Sequence, residues 1–263
     1  MGRPAWVFCF LVYAGSASAA DTPDALTEAR TLYNQRQFEA AVSAAERARI
    51  TPALADRADL IAARAYLERY RESAAAEDLV NARDRLRRLD PRRFDLPERT
   101  EFIVGLGEAL YFDETYGAAA DVFETVLENP DGLTTDSRER VLDWWAIAVD
   151  RDAWLQNGTA QQAAHLRIRE RMREELMARP GSATAAYWLA AAARAQGDLQ
   201  AAWDAAQAGW VRASLALDRG AALRADLDRL MLVAIVPERA RALAQPADTL
   251  LLDWENFKQR WGN

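Results

Sequence analysis

Three segments of the chain repeat one spacing of small and large residues. They read "ARTLYNQRQFEAAVSAAERA" at residues 29–48, "GEALYFDETYGAAADVFETV" at 107–126 and "AAAARAQGDLQAAWDAAQAG" at 190–209. Each begins with a small residue: Ala29, Gly107 and Ala190. Nine positions on comes an aromatic residue or leucine, and twelve positions on an alanine: Phe38, Tyr116, Leu199, Ala41, Ala119 and Ala202. Because small side chains let two helix axes come close and a large residue fills the groove beside them, each segment predicts a pair of packed antiparallel helices.

This spacing resembles the tetratricopeptide repeat, in which two antiparallel helices pack through small residues and an aromatic residue opens the second helix. Weaker matches at 54–89 and 136–178, with Ala82 and Ala163 in the place of Ala41, fill the intervals. The units span about 37 to 44 residues, longer than the roughly 34 residues typical of the family. The resemblance implies an all-α fold, a right-handed α-solenoid of five to six antiparallel helix pairs over residues 21–217. A plain helical bundle is the alternative.

The composition also favours helix and gives no sign of a sheet. Ala, Leu, Arg and Glu are strong helix formers, and long alternation of Val, Ile and Thr is absent. Residues 218–263 carry no clear repeat, and breaks near Pro237 and Pro246 divide them into two or three helices. Because the last unit of a repeat array leaves an apolar face uncovered, we expect this segment to form a C-terminal helical cap.

The first 20 residues have the order of a secretory signal peptide. Arg3 precedes an apolar run at 5–14, and Ala-Ser-Ala at 17–19 precedes a cleavage site after Ala19 or Ala20. A membrane anchor is the alternative, but the run is shorter than the roughly 20 residues of a spanning helix. The sequence therefore predicts export to the periplasm or exterior of a bacterium, with no stable membrane span. The single cysteine, Cys9, lies in this segment, so we expect the mature chain to have no disulfide.

Charge and motifs argue against nucleic-acid binding and against catalysis. The formal net charge is −7 and Lys258 is the only lysine, so no basic stripe for phosphates is apparent. One histidine, His165, cannot make a metal cluster or a catalytic triad. No glycine-rich phosphate loop follows a strand, and nothing singles out a catalytic pair among the acidic residues. We therefore predict a protein that is not an enzyme and has no cofactor or metal.

Tryptophan is concentrated in the second half of the chain. The residues are Trp144, Trp145, Trp154, Trp188, Trp203, Trp210, Trp254 and Trp261. Most of them are interpreted as core, because they fall near small positions where helices pack. Trp144 and Trp145 are adjacent, so they point about 100° apart on a helix and one of them can line a groove. An alternative function follows, in which the 144–210 region binds a glycan or another envelope polymer.

The family resemblance implies a binding face, because the first helix of each unit lines a concave surface in tetratricopeptide proteins. With Gly107 as the small residue of its unit, Val104 also points inward. The candidate partner-binding residues are Tyr33, Asn34, Glu101, Glu108, Tyr111, Phe112, Asp143, Asp150, Tyr187 and Arg194. We expect three of them, Tyr111, Glu108 and Tyr187, to be solvent-accessible on one common concave surface.

The same resemblance gives the predicted function, an exported scaffold that binds a protein or peptide in cell-envelope assembly or maintenance. The lysine and asparagine clamp that some members use for a peptide's terminal carboxylate is not evident here, since Lys258 is the only lysine. The mixed acidic and aromatic character of the candidate face instead favours an extended peptide or a basic segment of a partner.

Overall fold

The structure is a computed structural model that describes residues 24–129, 132–216 and 219–261. The predicted signal peptide at residues 1–20 lies outside this range. Within it the secondary structure is helical and contains no strand, which confirms the all-α prediction. None of the described helices is both long enough and apolar enough to cross a membrane.

The helices follow one another with short connections, two of which contain a 3₁₀ turn (Pro52–Leu54 and Pro91–Arg93). They are α1 (Ala25–Asn34), α2 (Phe38–Arg49), α3 (Ala55–Ser73), α4 (Ala76–Leu86), α5 (Leu96–Phe112), α6 (Tyr116–Glu128), α7 (Thr135–Trp154), α8 (Gly158–Ala178), α9 (Ala183–Ala195), α10 (Leu199–Ala213), α11 (Gly220–Leu230), α12 (Val236–Leu243) and α13 (Ala247–Trp261).

Neighbouring helices pack as pairs, and a second set of contacts links alternate helices. The three segments with the complete spacing are the pairs α1–α2, α5–α6 and α9–α10, and the weaker matches are α3–α4 and α7–α8. In addition, each odd-numbered helix from α1 to α9 contacts the next odd-numbered helix. The predicted pairing of helices is therefore confirmed, and the odd-numbered helices lie side by side.

The small residues lie where the helices meet. Ala41, Ala119 and Ala202 are fully buried. At Gly107 a β-carbon would lie 2.5 Å from Cε1 of Phe123, so only glycine lets α5 approach α6 this closely. The weaker match fails at Ala163, which is exposed.

Helix α8 packs instead through Ile168 and Met172, which are completely buried. Ala164, next to the predicted Ala163, packs against the same core. One residue turns a helix by about 100°, so an error of one position in the alignment moves a side chain from the core to solvent.

The C-terminal segment packs on the last helix pair. Leu227, Met231 and Trp254 belong to one buried cluster with residues of α9 and α10. The expected break near Pro237 is wrong, because α11 and α12 form one continuous helix through a π-helical turn at Met231–Ile235. Proline has no N–H to donate, and the wider turn before Pro237 lets the helix continue at a position where sequence rules predict its end.

Candidate functional site

The largest set of candidate residues lies around one cavity, here called the odd-helix cavity because α1, α3, α5 and α7 all contribute to it. Its volume is about 490 Å³, within the range of small-ligand sites. Its lining includes Arg30, Tyr33, Asn34, Arg64, Glu68, Glu101, Val104, Glu108, Arg140 and Trp144. Five of the predicted inward-facing residues, Tyr33, Asn34, Glu101, Val104 and Glu108, are therefore brought together.

An ion pair connects the first and third of these helices across the cavity. Nη1 of Arg30 on α1 donates to both carboxylate oxygens of Glu101 on α5, at 2.7 and 2.9 Å. A bond between side chains 71 residues apart fixes α1 relative to α5 over the intervening helix α3. The cavity therefore has a polar wall whose charges are matched within the chain.

A second pair, between Arg64 on α3 and Glu108 on α5, is buried. Nη1 and Nη2 of Arg64 donate to the two oxygens of Glu108 at 2.5 and 3.2 Å. Gly105 makes room for the arginine, because a β-carbon there would lie 3.2 Å from Cδ of Arg64. Burial raises the pKa of Glu108, and the positive charge of Arg64 offsets part of that effect.

This geometry corrects the prediction for Glu108. Its residue exposure is only 6%, so it is not solvent-accessible, although its side chain does face the cavity. The helical phase was right, but Arg64 from the neighbouring helix covers the carboxylate. Glu101 and Glu108 are already paired with arginines. A basic partner segment therefore gains less binding free energy from them than it would from unpaired carboxylates.

Three groups of the cavity keep binding capacity. Arg140 on α7 is exposed and forms no hydrogen bond or ion pair with any described residue. The hydroxyl of Tyr33 also makes no hydrogen bond within the described part of the chain, and burial raises its pKa. Trp144 supplies an aromatic surface. The cavity therefore offers a free cation, a hydroxyl and an apolar ring.

Tyr111 and Phe112 support Trp144 rather than lining the cavity themselves. The ring of Tyr111 meets that of Trp144 edge-on at 4.8 Å between centroids, and the ring of Phe112 does so at 5.6 Å. Both residues are half-buried. Trp145 is completely buried in the core, so the prediction that one of the adjacent tryptophans lines a groove is confirmed.

The remaining candidates lie at a different place. Asp150, Tyr187 and Arg194 line a cavity of about 300 Å³ between α7, α8 and α9, here called the α7–α9 cavity. Asp143 accepts a hydrogen bond from Nε1 of Trp188 at 2.8 Å, which orients that ring. Tyr187 thus does not share the odd-helix cavity, and the expected single surface is divided between two cavities.

The arginines of the odd-helix cavity were not among the residues predicted from the sequence. Arg30 follows Ala29 in the same way that Glu108 follows Gly107, so the repeat spacing already placed it on the inward face. The dipeptide Ala63-Arg64 recurs 34 residues after Ala29-Arg30. That interval is the typical period of the repeat family and was the available signal for Arg64.

No group of three or more His, Cys, Asp or Glu side chains in the described ranges is arranged to hold a metal ion. His165 places Nε2 3.1 Å from Oδ1 of Asp150, at the α7–α9 cavity and away from the odd-helix cavity. Comparison of the chain with protein-family models, curated proteins and solved structures gave no match. The resemblance to tetratricopeptide repeats therefore rests on the residues of the chain and on the packing of its helices.

Proposed function

We propose that this protein is an exported, tetratricopeptide-like scaffold that binds a segment of a partner polypeptide in the odd-helix cavity, in the assembly or maintenance of the cell envelope. The observation that carries the proposal is the lining itself, since four alternate helices contribute side chains to one cavity. In a right-handed solenoid the alternate helices form the concave face, and such faces bind extended polypeptides.

The chemistry of the cavity suits a polypeptide segment. Its internal ion pairs leave a polar wall without a large net charge, while Arg140 can donate to a main-chain carbonyl or a carboxylate. Tyr33 can exchange a hydrogen bond through its hydroxyl, and Val104 and Trp144 offer apolar contact for a side chain. Binding rather than catalysis is proposed, because the carboxylates of Glu101 and Glu108 are already paired with arginines of the same cavity.

The proposed export rests on the sequence of residues 1–20, with Arg3, the apolar run and Ala-Ser-Ala before the cleavage site. The confinement of the only cysteine to that segment fits a mature chain that needs no disulfide in an oxidising compartment. The intact mass of the protein from its native host should lack about 20 residues. A full-length mass in the soluble fraction would contradict export while leaving peptide binding open.

Selection from a library of displayed peptides tests the binding proposal. We expect enrichment of peptides that lose at least roughly tenfold in affinity for Arg140→Glu, because a cation that contacts the ligand is replaced by a carboxylate. Arg173→Glu is the matched control, since Arg173 is also exposed and forms no hydrogen bond or ion pair within the described residues, but lies on α8 outside the cavity. Equal affinity of both variants for the selected peptides would place peptide binding elsewhere.

A further inference from the structure

We propose that the α7–α9 cavity is a second binding site, which takes a neutral sugar ring of a glycan. This site goes beyond the proposed peptide binding, because the α7–α9 cavity and the odd-helix cavity share no lining residue. Its volume of about 300 Å³ is at the lower end of the range for small-ligand sites. The occupant is therefore a compact unit such as one sugar ring rather than a folded partner.

One side of the α7–α9 cavity carries an unusually exposed aromatic ring. Trp154 is the last residue of α7, and its exposure is 72%. Its ring pairs with no other aromatic ring among the described residues. The carbon-bound hydrogens of a sugar ring form a flat apolar face, and this face stacks on an aromatic ring of the same size. Trp154 thus provides a platform that the fold itself leaves uncovered.

A second aromatic wall is held in a fixed orientation. The indole N–H of Trp188 donates to Oδ1 of Asp143 at 2.8 Å, and Arg219 pairs with the other oxygen of that carboxylate at 2.8 Å. The ring of Tyr187 lies edge-on to Trp188, with 5.4 Å between centroids. Rings that are already positioned lose little freedom on binding, so the wall is preorganised for a ligand.

The arginine of the α7–α9 cavity has its charge matched, whereas several hydrogen-bonding groups have no partner. Arg194 forms an ion pair with Glu238, and Oδ1 of Asp150 lies within hydrogen-bonding distance of Nε2 of His165.

Three further groups make no hydrogen bond to any described residue: the second oxygen of Asp150, the side-chain amide of Gln161 and the hydroxyl of Tyr187. Together they supply donors and acceptors of the kind that sugar hydroxyls match. An anion finds no unpaired arginine in this lining and is repelled by the carboxylate of Asp150, so the site favours a neutral sugar, whose hydroxyls can donate to that carboxylate.

Titration of the protein with tetrasaccharides derived from chitin, cellulose and starch, followed by calorimetry, tests the proposal. We expect at least one to bind, with roughly tenfold weaker binding for Trp154→Ala, because the stacking surface is lost. Trp261→Ala is the matched control, since Trp261 is also exposed (56%) but lies on α13 outside this cavity. The Trp261→Ala variant should bind the saccharide as tightly as the unmodified protein does.

A second variant guards against a folding defect. Tyr187→Phe removes only a hydroxyl and should weaken binding about threefold without lowering the melting temperature. Arg140→Glu should leave saccharide affinity unchanged, so failure here and failure of the peptide proposal can be told apart. The proposal is overturned if no tetrasaccharide binds, if Trp154→Ala binds as tightly as the unmodified protein, or if Trp261→Ala loses as much.

Discussion

Two buried arginine–glutamate pairs in this protein have different surroundings. In the wall of the odd-helix cavity Arg64 pairs with Glu108, and the Nε atom of that arginine has no hydrogen-bond partner. Between α7 and α8, Arg138 donates to both oxygens of Glu175 at 2.8 and 2.7 Å and also to a carbonyl oxygen of α6 at 3.0 Å. Glu175 accepts a further bond from Arg179 at 3.1 Å. The Arg138–Glu175 pair, here called the interior pair, therefore makes more hydrogen bonds than the Arg64–Glu108 pair in the cavity wall.

The pKa values of the two carboxyl groups move in opposite directions. Burial raises the pKa of Glu108, and Arg64 offsets only part of the rise. Burial also acts to raise the pKa of Glu175, but the hydrogen bonds and charge of Arg138 outweigh it, and the pKa is lowered. The hydrogen bonds of Arg138 therefore compensate for the burial of Glu175, whereas the buried Nε atom of Arg64 stays without a partner and the burial of Glu108 is offset only in part.

The largest expected effect follows from breaking the interior pair. Arg138→Met should cost about 3–5 kcal/mol of unfolding free energy, because it leaves the carboxylate of Glu175 buried without its main partner. Arg64→Met should cost about 1–2 kcal/mol, since Glu108 takes up a proton more readily and its side chain faces a cavity. Urea unfolding of both variants measures the difference. Equal losses would remove the distinction between the two pairs.

Neutralising the carboxylates should give a smaller but parallel contrast. Glu175→Gln should cost about 2 kcal/mol at neutral pH, because Arg138 keeps its charge in the interior and loses a charged acceptor. Glu108→Gln should cost less, about 1 kcal/mol, because Arg64 also loses a charged acceptor but burial already disfavours the charged form of Glu108. The measurement is again the urea midpoint, with the slope checked for two-state behaviour. A larger loss for Glu108→Gln would reverse the comparison.

The contributions of Glu175 and Glu108 to the unfolding free energy should depend on pH with opposite sign. The folded-state pKa of Glu175 lies below its ordinary value of 4.5, so its stabilising contribution is present above that pH and is lost as the pH falls through the folded pKa. The folded-state pKa of Glu108 lies above 4.5, so its contribution is present at lower pH and is lost as the pH rises through the folded pKa. Unfolding series of the unmodified protein and each glutamine variant between acid and neutral pH test both signs.

The sequence predicts the helix pairs well because their spacing rule is local. Gly107 and Ala119 are fixed by how closely α5 and α6 approach, and a side chain at either place must be small whatever surrounds the pair. Pro237 shows the limit of such rules, since its π-helical turn depends on the packing of α11 and α12 against α10. A proline alone does not reveal that packing.

The sequence predicts toward which side of each helix the cavity residues point, but it does not predict whether they are buried. Helical phase placed Tyr33, Glu101 and Glu108 toward one cavity. The burial of Glu108 depends on Arg64, which comes from a helix whose alignment with α5 no local pattern specifies. The division of the predicted surface between two cavities has the same origin, because it is set by how whole helices lie against one another.

Arg140→Glu should have the smallest effect on the fold. Arg140 is exposed and unpaired among the described residues, so unfolding free energy should change by less than about 0.5 kcal/mol. Arg173→Glu should change the melting temperature as little as Arg140→Glu does. A large destabilisation by Arg140→Glu alone would show that this arginine serves the fold, and the cavity would lose the free cation assigned to its ligand.

A photo-crosslinking amino acid tests whether the partner polypeptide lies against the odd-numbered helices. Asn34 is exposed at the odd-helix cavity, and Ser43 is exposed on α2 outside it. With a peptide obtained by selection, the crosslinker at position 34 should form a covalent adduct that excess unlabelled peptide suppresses, and the crosslinker at position 43 should form none. An adduct at position 43 without one at position 34 would show that the peptide binds away from the odd-numbered helices.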